Sequence, residues 1–190
     1  MTSQAMGITF RAALVGAAAL GVWLLCLAAQ PASRPFMGVV AVGELTQAEK
    51  LLSANPGLVD QSYLGRSPLH LAVLRGDASM VRLLLDHGAK VTARDACGDT
   101  PLHAAAYGMG KTVLPLLLDR GADPGARNLR GQTPLHLAAY AFCNPYTRDM
   151  GRALIRAGAR RAPRDRAGLT PLDLARLMRN EPVAQMLERP

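Results

Sequence analysis

Three histidines, His70, His103 and His136, stand 33 residues apart, and each closes the same string: Ser67-Pro68-Leu69-His70, Thr100-Pro101-Leu102-His103 and Thr133-Pro134-Leu135-His136. A fourth string, Thr170-Pro171-Leu172-Asp173, ends in a carboxylate. These residue types could form a metal site or carry general acid–base chemistry. Their spacing argues against a shared ion, because one imidazole per repeat puts neighbours on the order of 10 Å apart, and a ligand binds at about 2 Å. No Ser, Cys or carboxylate stands in a local nucleophile motif, and no glycine-rich phosphate loop joins a strand to a helix. Cys26, Cys97 and Cys143 are too few and too scattered for a disulfide scaffold or a metal cluster. The sequence therefore predicts no enzyme, no cofactor and no metal.

Something periodic must position these strings. Their prolines are spaced 33, 33 and 37 residues apart, and a fixed period of this length implies a stacked solenoid of repeated units. Proline presets φ at the start of a helix, where its missing N–H has no intrahelical partner to lose. The Ser or Thr before it is placed to cap that helix by accepting from its exposed amides. Leu and the small residues that follow pack between units, and Gly88, Gly121 and Gly158 stand where a second helix must end and the chain reverse. Aromatic residues are only 4% of the chain, as suits helices packed closely through Ala and Leu.

The longer frame is equally regular. Gly98 to Ala106 is followed by Leu116-Leu117-Leu118-Asp119-Arg120-Gly121-Ala122-Asp123, and Gly65 to Val73 by Leu83-Leu84-Leu85-Asp86-His87-Gly88-Ala89. This pattern resembles the ankyrin repeat over residues 34–190. The resemblance implies an all-α solenoid in which each unit carries two antiparallel helices and a β-hairpin finger. It also implies a structural role for the histidines, bonded to finger backbone, and marks Asp173 as a change common in terminal units.

Carried back by 33 residues, the register pairs Pro35 with Pro68, Gly43 with Gly76, Glu44 with Asp77, and Leu51-Leu52 with Leu84-Leu85. Asn55 then falls opposite Gly88, where a left-handed residue is needed. Five repeats result, near 34–64, 65–97, 98–130, 131–167 and 168–190, the degenerate first serving as a cap. The last ends with its second helix, so no appended domain is expected.

Local departures make local predictions. Four extra residues in the run Phe142-Cys143-Asn144-Pro145-Tyr146 lengthen the turn between the helices of repeat four, with Thr147 as the next cap and Asp149 in the first turn. Pro115 is placed a turn into its helix and predicts a local bend. Asn180 is expected to cap the last helix, with Pro182 early in it. Cys97 in a finger and Cys143 at the opposite end of the helices are too far apart for a disulfide.

Within the resemblance, partner-facing residues lie on finger tips and at the end of each first helix. Seven residues beyond each motif Ser or Thr stand Leu74, Tyr107, Tyr140 and Leu177, a concave stripe that could anchor a partner or simply cover the groove by mutual contact. Residues 120–179 hold 12 Arg and 4 Asp with no Lys or Glu, equal to the whole-chain charge of +8. Arg127, Arg130, Arg160, Arg161, Arg164 and Arg166 lie in or beside fingers. Such a one-signed surface favours acidic partners, or serves only solubility.

The N-terminus adds a compartment. After Arg11, residues 12–29 form an uncharged run of 18, and residues 30–33 a linker. Residues 1–29 read either as a signal peptide cleaved after Leu27-Ala28-Ala29 or as a signal-anchor helix just long enough to span. A lipoprotein reading through Cys26 is poor, because Leu25 precedes it. Both leading readings export the repeats, and the Arg- and Ala-rich style suggests a bacterial chain and a periplasmic location. The expected function is non-enzymatic binding of a protein partner by the groove and basic fingers. The alternative is a membrane-tethered assembly factor acting at anionic headgroups, while export disfavours nucleic acid.

Overall fold

A computed structural model describes residues 34–108, 110–141 and 146–188, with side chains from Phe36 onward. The segment 1–29, the linker, Cys26 and the inserted Phe142 to Pro145 lie outside the described residues. The helices, in chain order, are α1 (Arg34–Val42), α2 (Leu45–Ala54), α3 (Pro68–Arg75), α4 (Ala78–Asp86) and α5 (Pro101–Tyr107). They continue with α6 (Val113–Asp119), α7 (Pro134–Tyr140), α8 (Thr147–Arg156), α9 (Pro171–Leu177) and α10 (Glu181–Glu188). The odd-numbered helices stack in order as one layer, and their even-numbered partners back them.

Each motif proline opens its helix, at Pro68, Pro101, Pro134 and Pro171. The leucine after it faces the seam between repeats, and Leu69, Leu102 and Leu135 are fully buried. Phe36 and Met37, on α1, are buried in the same apolar core. Gly43 and Gly76 match in the left-handed conformation, at φ 89° and 69°.

The first repeat diverges thereafter. Burial passes from the Leu84 position to Leu52 rather than Leu51, and α2 is not ended by a left-handed residue. Asn55 is extended, with φ −145°, and its side chain accepts from Gly57 N to start the short 3-10 helix Pro56–Asp60.

Two other local expectations are corrected. α6 begins only at Val113, so Pro115 lies in the first turn, where its missing amide has no intrahelical acceptor to lose, and no bend is required. Tyr146 rather than Thr147 occupies the N-cap position of α8, without a side-chain cap bond, and Thr147 is the helix's first residue and is buried. Asn180 stands at the N-cap position of α10, its carbonyl accepting from Ala184 N at 2.9 Å, and its amide nitrogen also donates to the carbonyls of Ala138 and Ala139 at the end of α7, at 3.2 and 3.1 Å. It ties the last repeat to the fourth by satisfying orphan helix-end carbonyls.

The fingers are hydrogen-bonded turns rather than β-hairpins. Among the described residues there is one isolated bridge, Tyr63 to Arg66, and no strand. The reason is a side chain at each tip that takes the amides a ladder would use. Asp95 Oδ1 accepts from Cys97 N and Asp99 N, Asn128 Oδ1 from Arg130 N and Gln132 N, and Asp165 Oδ1 from Ala167 N and Leu169 N, all at 2.8–2.9 Å. Successive fingers touch through single backbone bonds, Leu129 N to Cys97 O at 3.0 Å and Arg166 N to Arg130 O at 2.9 Å. Gly98 permits this approach: its φ is +75°, and a Cβ there would lie 2.9 Å from Leu129 N.

Candidate partner-binding groove

The histidines belong to the scaffold. In each, one ring nitrogen faces a finger carbonyl: Nε2 of His70 to Asp99 O at 3.0 Å, of His103 to Gln132 O at 3.0 Å, and of His136 to Leu169 O at 3.2 Å. A carbonyl only accepts, so Nε2 carries the proton and Nδ1 accepts. Nδ1 receives the hydroxyls of Ser67, Thr100 and Thr133 at 2.8, 2.9 and 2.9 Å, together with their backbone amides. Both nitrogens are engaged, leaving none for an ion or a reacting proton. Burial holds all three imidazoles below their ordinary range, against the raising effect of the carbonyl bonds. In the last repeat Asp173 Oδ2 accepts from Thr170 N and Oγ1 at 2.9 and 2.7 Å, and these hydrogen bonds hold its carboxyl low. Among the described residues, no three His, Cys, Asp or Glu side chains could hold a metal.

The open concavity lies between the odd-numbered helices and the fingers. It is a cleft of about 470 Å³ whose walls include Leu74, Tyr107, Tyr140 and Arg130, four of the residues the sequence singled out. Tyr107 and Tyr140, half-exposed at 50% and 44%, stack on each other with ring centroids 6.2 Å apart and planes 28° from parallel. The mutual contact and the exposed groove surface therefore coexist in one aromatic pair. Leu177 does not line this cleft, and it is 70% exposed.

Sequence reasoning missed the polar floor, which is built by Asp95, Asp99, Asn128 and Gln132. Asn128 Nδ2 donates to Asp99 Oδ1 at 2.8 Å, and Gln132 Nε2 to Asp165 Oδ2 at 3.4 Å, each bond crossing from one finger to the next. Arg66 Nε approaches Asp95 at 3.7 Å. The available signal was Asp95, Asn128 and Asp165 recurring at the same 33 and 37 residue spacing as the prolines.

The basic finger residues divide into two kinds. Arg127 Nη1 donates to Gly131 O at 3.0 Å within its own finger and to Arg164 O at 2.8 Å in the next. Arg94 repeats this with Gly98 O and Arg127 O at 2.9 and 2.7 Å, and Arg164 holds Gly168 O at 2.7 Å. Arg94 and Arg127 thus stitch fingers together and Arg164 braces its own finger, although all three side chains remain exposed. Arg130, Arg160 and Arg166 are exposed and have no ion-pair partner among the described residues; Arg161 is exposed as well. Arg127 and Arg160 share a second, smaller concavity of about 210 Å³ with Asp123 and Pro163. Cys97 is an exposed free thiol at the groove's edge.

Stacked helix pairs, tied by His-to-finger bonds around an open groove, define a repeat scaffold for binding. The chain belongs to the ankyrin repeat family: ankyrin repeats in three copies match residues 36–128, and a further ankyrin repeat matches residues 130–166. A curated relative, the E3 ubiquitin-protein ligase XBAT33 of Arabidopsis thaliana, is 43% identical over 55 residues, which are 28% of this chain. The chain covers 11% of that relative's length. Ankyrin repeats generally bind protein partners. No helix among the described residues is long and apolar enough to cross a membrane, and neither family match reaches residues 12–29.

Proposed function

We propose that this chain binds a protein partner non-enzymatically, seating an extended segment of it in the groove between the odd-numbered helices and the fingers. The observation that carries the reading is the half-exposed Tyr107–Tyr140 pair above a hydrogen-bonded polar floor. Aromatic side chains bury much area while losing few rotamers, which suits them to anchor a ligand. Leu74 extends the apolar wall, Arg130 supplies a charge at its edge, and the finger-to-finger bonds hold the floor fixed before binding. A preformed site loses less entropy on association.

Affinity capture comparing the wild type with Tyr107→Ala/Tyr140→Ala tests this. Partners specific to the wild type support the groove, while identical partner sets refute it. We also propose that the repeats act on the exported side of a membrane, supported by the uncharged run 12–29 after Arg11. Cell fractionation with N-terminal mass determination tests that placement, and a full-length chain in the cytosolic fraction refutes it.

A further inference from the structure

We propose that the groove's partner is an acidic peptide segment with one apolar anchor, seated so that the anchor meets Tyr107 and Tyr140 and its carboxylates meet Arg130 and Arg166. The proposal rests on the groove reading above and adds the partner's chemistry and its register.

The fingers are not electrically equivalent. Residues 55–67 and 88–100 each sum to zero, residues 121–133 to +1 and residues 158–170 to +3. At the N-terminal end the charges are paired: Arg66 lies 3.7 Å from Asp95, and Lys90 lies 2.9 Å from Asp60. At the C-terminal end the acids are already engaged. Asp165 receives two backbone amides on one oxygen and Gln132 on the other, and Asp123 receives Gly125 N.

Arg130 and Arg166 are brought together by the fold. The Arg130 carbonyl takes the Arg166 amide at 2.9 Å, and a Cβ on Gly131 would lie 3.2 Å from Arg166 Cγ and 3.5 Å from Arg127 Nη1. Two arginines on adjoining finger backbones, without ion-pair partners among the described residues, favour a carboxylate bound there, which can accept guanidinium hydrogen bonds. Arg130 also lines the same cleft as the tyrosines, so one peptide can span both.

The cleft fixes the class and direction of the ligand. Its other end, where Arg66 pairs with Asp95 and the finger sums to zero, offers no net attraction to a uniformly anionic polymer or headgroup layer. A flat lipid surface would meet exposed finger residues without filling the concavity. A peptide can place acidic residues at one end only.

The test selects a random twelve-residue peptide library on the full chain, then titrates the leading peptide, fluorescein-labelled, by anisotropy. Enrichment of an aromatic or large aliphatic residue with neighbouring Asp or Glu is expected. Arg130→Glu/Arg166→Glu should weaken that peptide at least tenfold, and so should Tyr107→Ala/Tyr140→Ala, with unchanged circular dichroism melts. If only the tyrosine pair matters, the acidic-partner proposal falls and the groove stands. If only the arginine pair matters, the shared register and the groove reading both fall. Recovery of no binder, or tighter binding to oligo(dT) or phosphatidylglycerol vesicles than to the peptide, overturns the proposal.

Discussion

Replacing His103 with Ala should remove about 3 kcal/mol of stability. The ring is fully buried and makes three polar contacts: Gln132 O at 3.0 Å, Thr100 Oγ1 at 2.9 Å and Thr100 N at 3.1 Å. A hydrogen bond contributes about 1 kcal/mol net, and a buried group left without its partner is destabilised by about 1–3 kcal/mol. Three such contacts, with Gln132 O and the Thr100 donors orphaned, set the magnitude at a large share of the roughly 5–15 kcal/mol typical of a domain. Urea unfolding followed by far-UV circular dichroism reads the loss, with half-buried His87→Ala as a control expected to change stability by about 0.5 kcal/mol or less. His103→Asp should lose at least as much. A carboxylate can keep the Thr100 bonds, as Asp173 keeps those of Thr170, but it has no proton for Gln132 O and buries a charge. Asp173 itself is half-exposed and faces no finger carbonyl among the described residues. A loss below about 1 kcal/mol for His103→Ala would refute the structural assignment of the motif histidine.

Further perturbations follow the same bonds. Because burial lowers the folded-state pKa of His70, His103 and His136, the unfolded chain takes up protons that the fold refuses once pH drops below about 6.5. Their contribution is complete above that pH and falls by up to about 1.4 kcal/mol per unit per histidine until the folded-state pKa is reached, so urea midpoints should drop from pH 7.5 to 5.5, and a flat profile sinks the idea. Gly98→Ala, with φ +75° and Leu129 N at 2.9 Å from the new Cβ, should destabilise more than Gly121→Ala, which meets nothing within 4 Å and carries only the φ penalty of about 1 kcal/mol; equal melting temperatures would contradict this. Arg127→Met should lose about 1 kcal/mol in urea unfolding by releasing Gly131 O and Arg164 O, whereas Arg130→Met should change stability by less than about 0.5 kcal/mol. The order reversed would undo the division of the arginines.

The helical frame was legible because proline, a preceding hydroxyl residue and a later glycine act through backbone geometry that repeats with the sequence. Pro68, Pro101, Pro134 and Pro171 open helices as their residue type predicts. Departures arose where a side chain captured backbone. Asn55 bonded Gly57 N and started a 3-10 helix, and Asp95 and its equivalents closed the tips, where no strand forms among the described residues. Asn and Asp have short polar side chains that reach several backbone groups, so identity alone does not say which.

The same distinction explains the arginines. Composition placed Arg127, Arg130 and Arg164 in one basic patch, yet the bonds separate them. Arg94, Arg127 and Arg164 recur at 33 and 37 residues, in step with the prolines, and a residue repeated in register meets the same neighbouring carbonyl in every unit. Arg130, Arg160 and Arg166 have no such counterparts: the matching positions in the preceding units hold Cys97, Asp123 and Leu129. A side chain that breaks the period has no repeated partner to stitch, and its charge is left for something outside the solenoid. In this chain, then, the period of the proline motif sorts scaffold arginines from candidate binding arginines, and only the second group should alter partner affinity without altering the fold.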